Sequence, residues 1–301
     1  MRKVKVRLPA TITDFGPGLR SLGLALSLYA EVELSPRNDG NLLVETEGEG
    51  AGRYALGLRH PVVLGMLRIF QRLEQAPPGV SVRVRNNIPL DSGLGAESAF
   101  ITAGIIGANN LMGSPFSRSL VLEMASEATQ RPDQAVTSIL GGFTAHSWQA
   151  NNLIYRTLSL TPFRLILAMP RFSHYNRPEL PERVQTITAL ANLSKQPILI
   201  DAMATGDIPT IASVLNEDIQ GEEIRRRISG FGHVAEVARL AGAQGITTSG
   251  GGPAIIFFAE SHHDRIAEAI ETAFENINIT AMVQVLPIDT QGVVVSLLHS
   301  I

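Results

Sequence analysis

Residues 88–99 read Ile88-Pro89-Leu90-Asp91-Ser92-Gly93-Leu94-Gly95-Ala96-Glu97-Ser98-Ala99. A Val-rich alternating stretch over 80–86 runs into them, and a small, apolar, helix-period stretch over 95–112 follows. The pattern predicts strand, glycine turn, buried helix. A glycine turn that opens a helix presents unpaired amide hydrogens at the positive end of the helix dipole, which makes an anion site. The only lysines are Lys3, Lys5 and Lys195, so any phosphate held here is held without a P-loop lysine. The plainer reading is that Gly93 and Gly95 serve a sharp turn for steric reasons alone.

Two further glycine segments flank this one in sequence. The first is Pro9-Ala-Thr-Ile-Thr-Asp14-Phe-Gly16-Pro-Gly18-Leu-Arg20, continuing to Gly23-Leu-Ala-Leu26. The last is Ser249-Gly250-Gly251-Gly252-Pro253-Ala254, between a helix pattern and a strand pattern. Glycine loops in separate halves of one chain suggest a ligand cleft between them. Elsewhere, strand patterns cover 3–8, 24–35, 42–47, 143–148, 153–158, 165–169, 254–259, 282–287 and 293–298. Helix patterns cover 61–74, 120–130, 233–241 and 264–276, and 180–228 reads as mostly helical with breaks at Pro197 and Pro209. The change of rhythm near residue 160 predicts an α+β chain in two parts, 1–160 and 161–301. The second part reads as a split βαβ sandwich.

Composition narrows the function classes. Hydrophobic residues make up 45% and charged residues 18% of 301, the balance of a folded chain rather than a disordered one. A net charge of −3 gives no electrostatic case for nucleic acid or an anionic membrane. No apolar run is long enough to span a bilayer, and the charged, alternating start is unlike a signal peptide. With no cysteine there is no disulfide, thiolate metal site or Cys nucleophile. No His-x-x-x-His spacing, nucleophile elbow or Rossmann fingerprint in a strand-to-helix context is present. The expectation is a cytoplasmic protein with a small-molecule ligand.

The three glycine segments, in this order and spacing, resemble the motifs of the GHMP kinase superfamily, in the form found in homoserine kinases. Pro9-Ala10-Thr11 with Gly16-Pro17-Gly18 is similar to the first motif. Residues 89–98 are similar to the phosphate loop Pro-x-x-x-Gly-Leu-Gly-Ser-Ser, and Ser249–Pro253 is similar to the third motif. Arg177 with Leu180-Pro181, Asp218 with Arg225, and Pro132-Asp133-Gln134 before Gly141-Gly142 resemble further segments. The resemblance implies an N-terminal α/β nucleotide-binding half, a C-terminal ferredoxin-like half, ATP with Mg2+, and phosphorylation of a small hydroxyl compound. A homodimer is also implied. It puts nucleotide contacts at Pro89, Leu90, Asp91, Ser92, Gly93, Leu94, Gly95, Ala96, Glu97, Ser98, Ser249, Gly250, Gly251 and Gly252. It puts the acceptor site at Asp14, Arg20, Arg177 and Arg225.

The chain departs from the family pattern where chemistry is expected. The family's Asn falls at Asp14, its substrate-contacting Asp at Arg20, and its paired serines at Ala96 and Glu97. Its metal-binding Glu has no clean counterpart, and Glu127 is the nearest candidate. Glu97 either ligates Mg2+ or marks a loop that takes ATP differently; a first-turn carboxylate also simply suits the helix dipole. Arg20 either pairs with Asp14 or draws an anionic acceptor.

Overall fold

The structure, a computed structural model, describes residues 2–54, 57–149, 152–216 and 219–299. The chain opens with β1 (Arg2–Thr13), β2 (Leu22–Arg37), β3 (Leu42–Gly48), α1 (Pro61–Leu73) and β4 (Gly79–Asn86). Then come α2 (Ala96–Leu111), α3 (Arg118–Thr129), α4 (Pro132–Leu140), β5 (Phe143–Gln149) and β6 (Asn152–Leu158). The second half holds β7 (Arg164–Pro170), α5 (Thr186–Thr205), α6 (Ile208–Val214), α7 (Gly221–Arg227) and α8 (Phe231–Ala241). It closes with β8 (Gly245–Thr248), β9 (Ile255–Phe258), α9 (His263–Asn276), β10 (Ala281–Pro287) and β11 (Val294–His299).

Alternation explains the first sheet. Val4, Val6, Leu8, Ala10 and Ile12 of β1 are fully buried, while Lys3, Lys5 and Arg7 between them stay half-buried. Across the pleat Lys5 pairs with Glu31 at 2.9 Å and Lys3 with Glu33 at 3.5 Å, which matches the charged faces of β1 and β2. The sheet has seven strands in the order β11-β1-β2-β4-β3, with β5 joined to β2 and β6 to β5. Helix α2 packs on β1 and β2 in the same core, with Ala99, Phe100, Ala103 and Ile105 buried.

The second sheet runs β10-β7-β9-β8, all antiparallel. Read in chain order this is 4-1-3-2, with helices after the first strand and before the last, which is the ferredoxin-like split βαβ arrangement expected. Alternation again sorts the faces. Ile166, Ile255 and Phe257 pack with Val234, Ile266 and Phe274 of α8 and α9. Leu165, Leu167, Ile256 and Phe258 turn the other way, joining Leu199, Met203 and Ile211 of α5 and α6 in the core shared with the first sheet. Sheet membership changes between β6 and β7, and β11 then crosses back to pair antiparallel with β1.

Two expectations need correcting. Helix over 180–228 begins only at Thr186, and Pro197 does not break it: α5 runs through to Thr205. Pro197 is exposed, so the carbonyl it leaves without an amide donor faces water, which lowers the penalty. Pro209 does mark a boundary, at the first turn of α6. The stretch 245–248 is a strand, β8, where only the approach to a glycine turn was expected.

Candidate active site

The phosphate-loop candidate is shaped by its own side chains. Asn86, at the end of β4, donates to the carbonyls of Ile88 (2.8 Å) and Glu49 (3.0 Å) and accepts from the Ile88 amide (2.9 Å), which turns the chain. Ser92 Oγ donates to the Pro89 carbonyl at 2.7 Å and accepts from the Leu94 amide at 3.1 Å. Gly93 and Gly95 sit at φ +87° and +80°, where a side chain is strained. Helix α2 then starts with Gly95 as its N-cap and no side-chain cap, so its first-turn amides are left to whatever occupies the cleft.

The three glycine segments interlock. Ser249 Oγ donates to the Gly93 carbonyl at 2.9 Å and accepts from the Thr13 amide at 3.3 Å. The Gly250 amide reaches the Thr13 carbonyl at 2.6 Å, and the Ala254 amide reaches the Ser92 carbonyl at 3.2 Å. A Cβ on Gly93 would lie 2.1 Å from the Ser249 carbonyl oxygen, so only glycine admits the approach.

Together they bound a cleft of about 770 Å³. Pro89, Leu90, Asp91, Ser92, Gly93, Gly95, Ala96, Glu97 and Ser98 line it, as do Gly250 and Gly252. Leu94 is wholly buried beneath the loop, and Ser249, also wholly buried, spends its hydroxyl on the joint between segments. Gly251 is not among the lining residues; its carbonyl accepts the Tyr175 hydroxyl at 3.0 Å. Burial pushes the Tyr175 phenol up to about 12, so it stays a donor. Behind the lining, the Tyr54 hydroxyl donates to Glu97 Oε1 at 3.1 Å while its ring meets Phe100 edge-on at 5.9 Å. Asp91 pairs with Arg53 at 2.6 Å.

Below one wall lies an ionic cluster. Asp14, at φ +51°, has no side-chain exposure. Its Oδ1 accepts the Arg20 amide at 2.9 Å; its Oδ2 accepts Arg131 Nη2 at 2.9 Å and Arg177 Nη2 at 3.3 Å. Arg131 also grips Asp133 through Nε (2.9 and 3.2 Å) and Nη2, and donates to Thr13 Oγ1 at 3.0 Å. Burial works against the Asp133 charge, but the bond to Arg131 and its cation outweigh it and hold the carboxyl below the usual range. Nearby His146 is held below its ordinary pKa by burial, so it is neutral near pH 7.

The structure thus brings Asp14 and Arg177 together at the cleft and adds Arg131, which sequence reading missed. Arg131 stands one residue before the Pro132-Asp133-Gln134 resemblance, and nothing local shows that it reaches Asp14, 117 positions away. Gln134, in the same segment, also lines the cleft and accepts Ser98 Oγ at 2.6 Å. Three placements differ from expectation. Arg20 makes no side-chain ion pair with Asp14; its backbone amide binds Asp14 and its side chain is exposed. Arg225 does not line the cleft. Glu127 is exposed on α3 beside Arg68, Gln71 and Arg72, in a separate depression, because a helix of this pitch turns it away from the phosphate loop; Thr129 lines the cleft instead. Asp218 lies outside the described residues.

The residues present fit a nucleotide's phosphates at the uncapped start of α2. Among the described residues no group of three or more acids and histidines forms a metal site by itself. Exposed Glu97 fits a magnesium ion that arrives with the nucleotide, since that ion commonly takes one or two carboxylates plus phosphate oxygens. Also among the described residues, no helix is long and apolar enough to cross a membrane.

Residues 61–142 match the family described as GHMP kinases N terminal domain. The homoserine kinase of Carboxydothermus hydrogenoformans is 30% identical over 281 residues, covering 92% of both chains. That of Moorella thermoacetica is 29% identical over 294 residues, covering 96% of this chain and 99% of its own. The crystal structure of homoserine kinase from Cytophaga hutchinsonii superposes with a TM-score of 0.86 at 24% identity, over 98% of this chain and 97% of that one. A D-glycero-D-manno-heptose 1-phosphate kinase from Bacteriodes thetaiotaomicron shares the fold at a TM-score of 0.74 and 17% identity, covering 99% and 100%. With its glycine segments joined at one cleft and its whole length aligned to such relatives, the chain belongs to the GHMP kinase superfamily.

Proposed function

We propose that this protein is an ATP-dependent phosphotransferase that moves a γ-phosphoryl group onto the hydroxyl of a small molecule, in the manner of a homoserine kinase. The observation that carries the reading is the uncapped N-terminus of α2, held open towards the cleft by Gly93 and Gly95 and locked to the third glycine segment through Ser249. Glu97 would hold, from the protein side, a magnesium ion that arrives with the nucleotide, and that ion would supply neutralisation of phosphate charge. The chain's own contribution is positioning. First-turn amides orient the phosphates, Arg177 and Arg131 set the positive wall, and Asp14 holds both guanidinium groups in place. Asp14 acts as a positioning residue, because both its oxygens already accept hydrogen bonds. The reading places the enzyme in the cytoplasm.

Ala96 and Glu97 favour a second reading, a nucleotide-binding protein without turnover, since neither brings a hydroxyl to the loop. Thermal shift tests the nucleotide binding that both readings require, and turnover separates them from each other. ATP with Mg2+ should raise the melting temperature by mass action. ADP release should then follow from a panel of homoserine, threonine, mevalonate and simple sugars. A shift with no ADP release from any acceptor favours the second reading; no shift at millimolar nucleotide defeats both.

A further inference from the structure

The acceptor side of the cleft has carboxylates, but none is free for a cationic ligand. Asp14 and Asp133 each have 0% side-chain exposure, against 11% for Arg131 and 44% for Arg177. Three guanidinium groups surround these two carboxylates: Arg131 and Arg177 by direct bond, and Arg20 near enough to act on Asp133 and Arg177 electrostatically. Three cations against two anions leave one positive charge, and the exposed members of the set are arginines. The bonds named above use Nε and Nη2 of Arg131 and only Nη2 of Arg177. Nη1 of Arg131, and Nε and Nη1 of Arg177, take no part in them, and both residues line the cleft. The acids that line the opposite walls have partners of their own: Glu49 is bound by Arg171 at 2.6 Å, Asp91 by Arg53 at 2.6 Å, and Glu97 by the Tyr54 hydroxyl.

We infer that the acceptor is a hydroxyl compound bearing an oxyanion group, a carboxylate or a phosphate, and no ammonium, with Arg177 and Arg131 as the residues that select it. This rests on the kinase reading above and narrows its substrate class. Guanidinium forks match both oxyanions geometrically, whereas an ammonium placed beside them meets like charge, and the carboxylates bonded to them, Asp14 and Asp133, are buried out of its reach. Buried Asp14 fixes the two arginines so that little ordering is needed when the anion arrives.

The test uses the full chain and compares closely related probes. Binding is read by calorimetry without nucleotide, and turnover by ADP release, for 4-hydroxybutyrate, glycerol 3-phosphate, homoserine and glycerol. The expected result is that at least one anion binds about tenfold or more tightly than homoserine and glycerol, and more weakly as salt rises. The first two probes separate carboxylate from phosphate as the preferred group. Homoserine binding as tightly as the best anion, or anions binding no better than glycerol, overturns the inference while leaving the kinase reading untouched. Anion binding without ADP release supports the ligand class and removes the kinase reading instead. Arg177→Gln should weaken the anion about tenfold and weaken ATP less than the anion, with its melting temperature checked for folding. Loss of ATP affinity with acceptor binding unchanged assigns Arg177 to the nucleotide and overturns the assignment. Arg177→Lys should recover part of the lost affinity, because the charge returns but the fork does not.

Discussion

Arg131 carries most of the electrostatic order beneath the cleft, since Asp14 and Asp133 are both buried and both rely on it. Removing one partner of such a buried pair leaves a charge uncompensated, so Arg131→Leu should destabilise by about 3–5 kcal/mol in urea unfolding. His60 gives a second test. Its ring is buried, Nδ1 accepts the Val62 amide as an N-cap for α1, and burial lowers its pKa to about 4. Unfolded, the ring titrates near 6.5, so between about 4 and 6.5 the unfolded chain binds more protons and stability rises with pH. The full swing is up to about 3 kcal/mol. His60→Asn keeps an N-cap acceptor and removes the titration, so its melting temperature should depend less on pH across that window. At this scale the sequence pointed to Asp14 and Arg177 through the resemblance. Arg131 stayed hidden because its role is made by a contact between distant segments; of the two readings of Arg20, the ion pair with Asp14 gives way to a backbone contact.

The elements were more legible than the site. Period-3.6 patterns gave α1, α2 and α9 to within a few residues, since each buries one face or a whole small-residue body, whereas β1 runs on to Thr13, past the expected end at residue 8. β8 escaped notice because four residues leading into a glycine turn carry too little period. Pro197 was over-weighted: an exposed proline on a 20-residue helix is tolerated where a buried one would not be. Pro197→Ala should therefore restore a helix hydrogen bond and stabilise the protein by about 1–2 kcal/mol, the helix gain being partly offset by a freer unfolded chain. In the phosphate loop, Gly93→Ala meets both a left-handed φ and the Ser249 carbonyl. It should cost about 1–3 kcal/mol in stability and weaken ATP binding measured by thermal shift.

Across the molecule, the two sheets are coupled at the point where the ligand is expected. Ser249 follows β8 in the second sheet, and its hydroxyl bonds the end of β1 and the phosphate loop of the first. Ser249→Ala leaves the partly buried Gly93 carbonyl and the buried Thr13 amide short of a partner. It should lower stability by about 1–3 kcal/mol and also reduce nucleotide affinity, although the serine does not line the cleft. β11 adds a constraint of a different kind. Strand β1 is made before its partner, and its outer edge is covered by a strand that follows nearly three hundred residues later. A nascent chain thus carries a bare, half-apolar strand edge until β11 follows. The completed sheet closes by a long-range pairing that is slow to form, which makes the interval before β11 appears the time at which this protein is most exposed to aggregation.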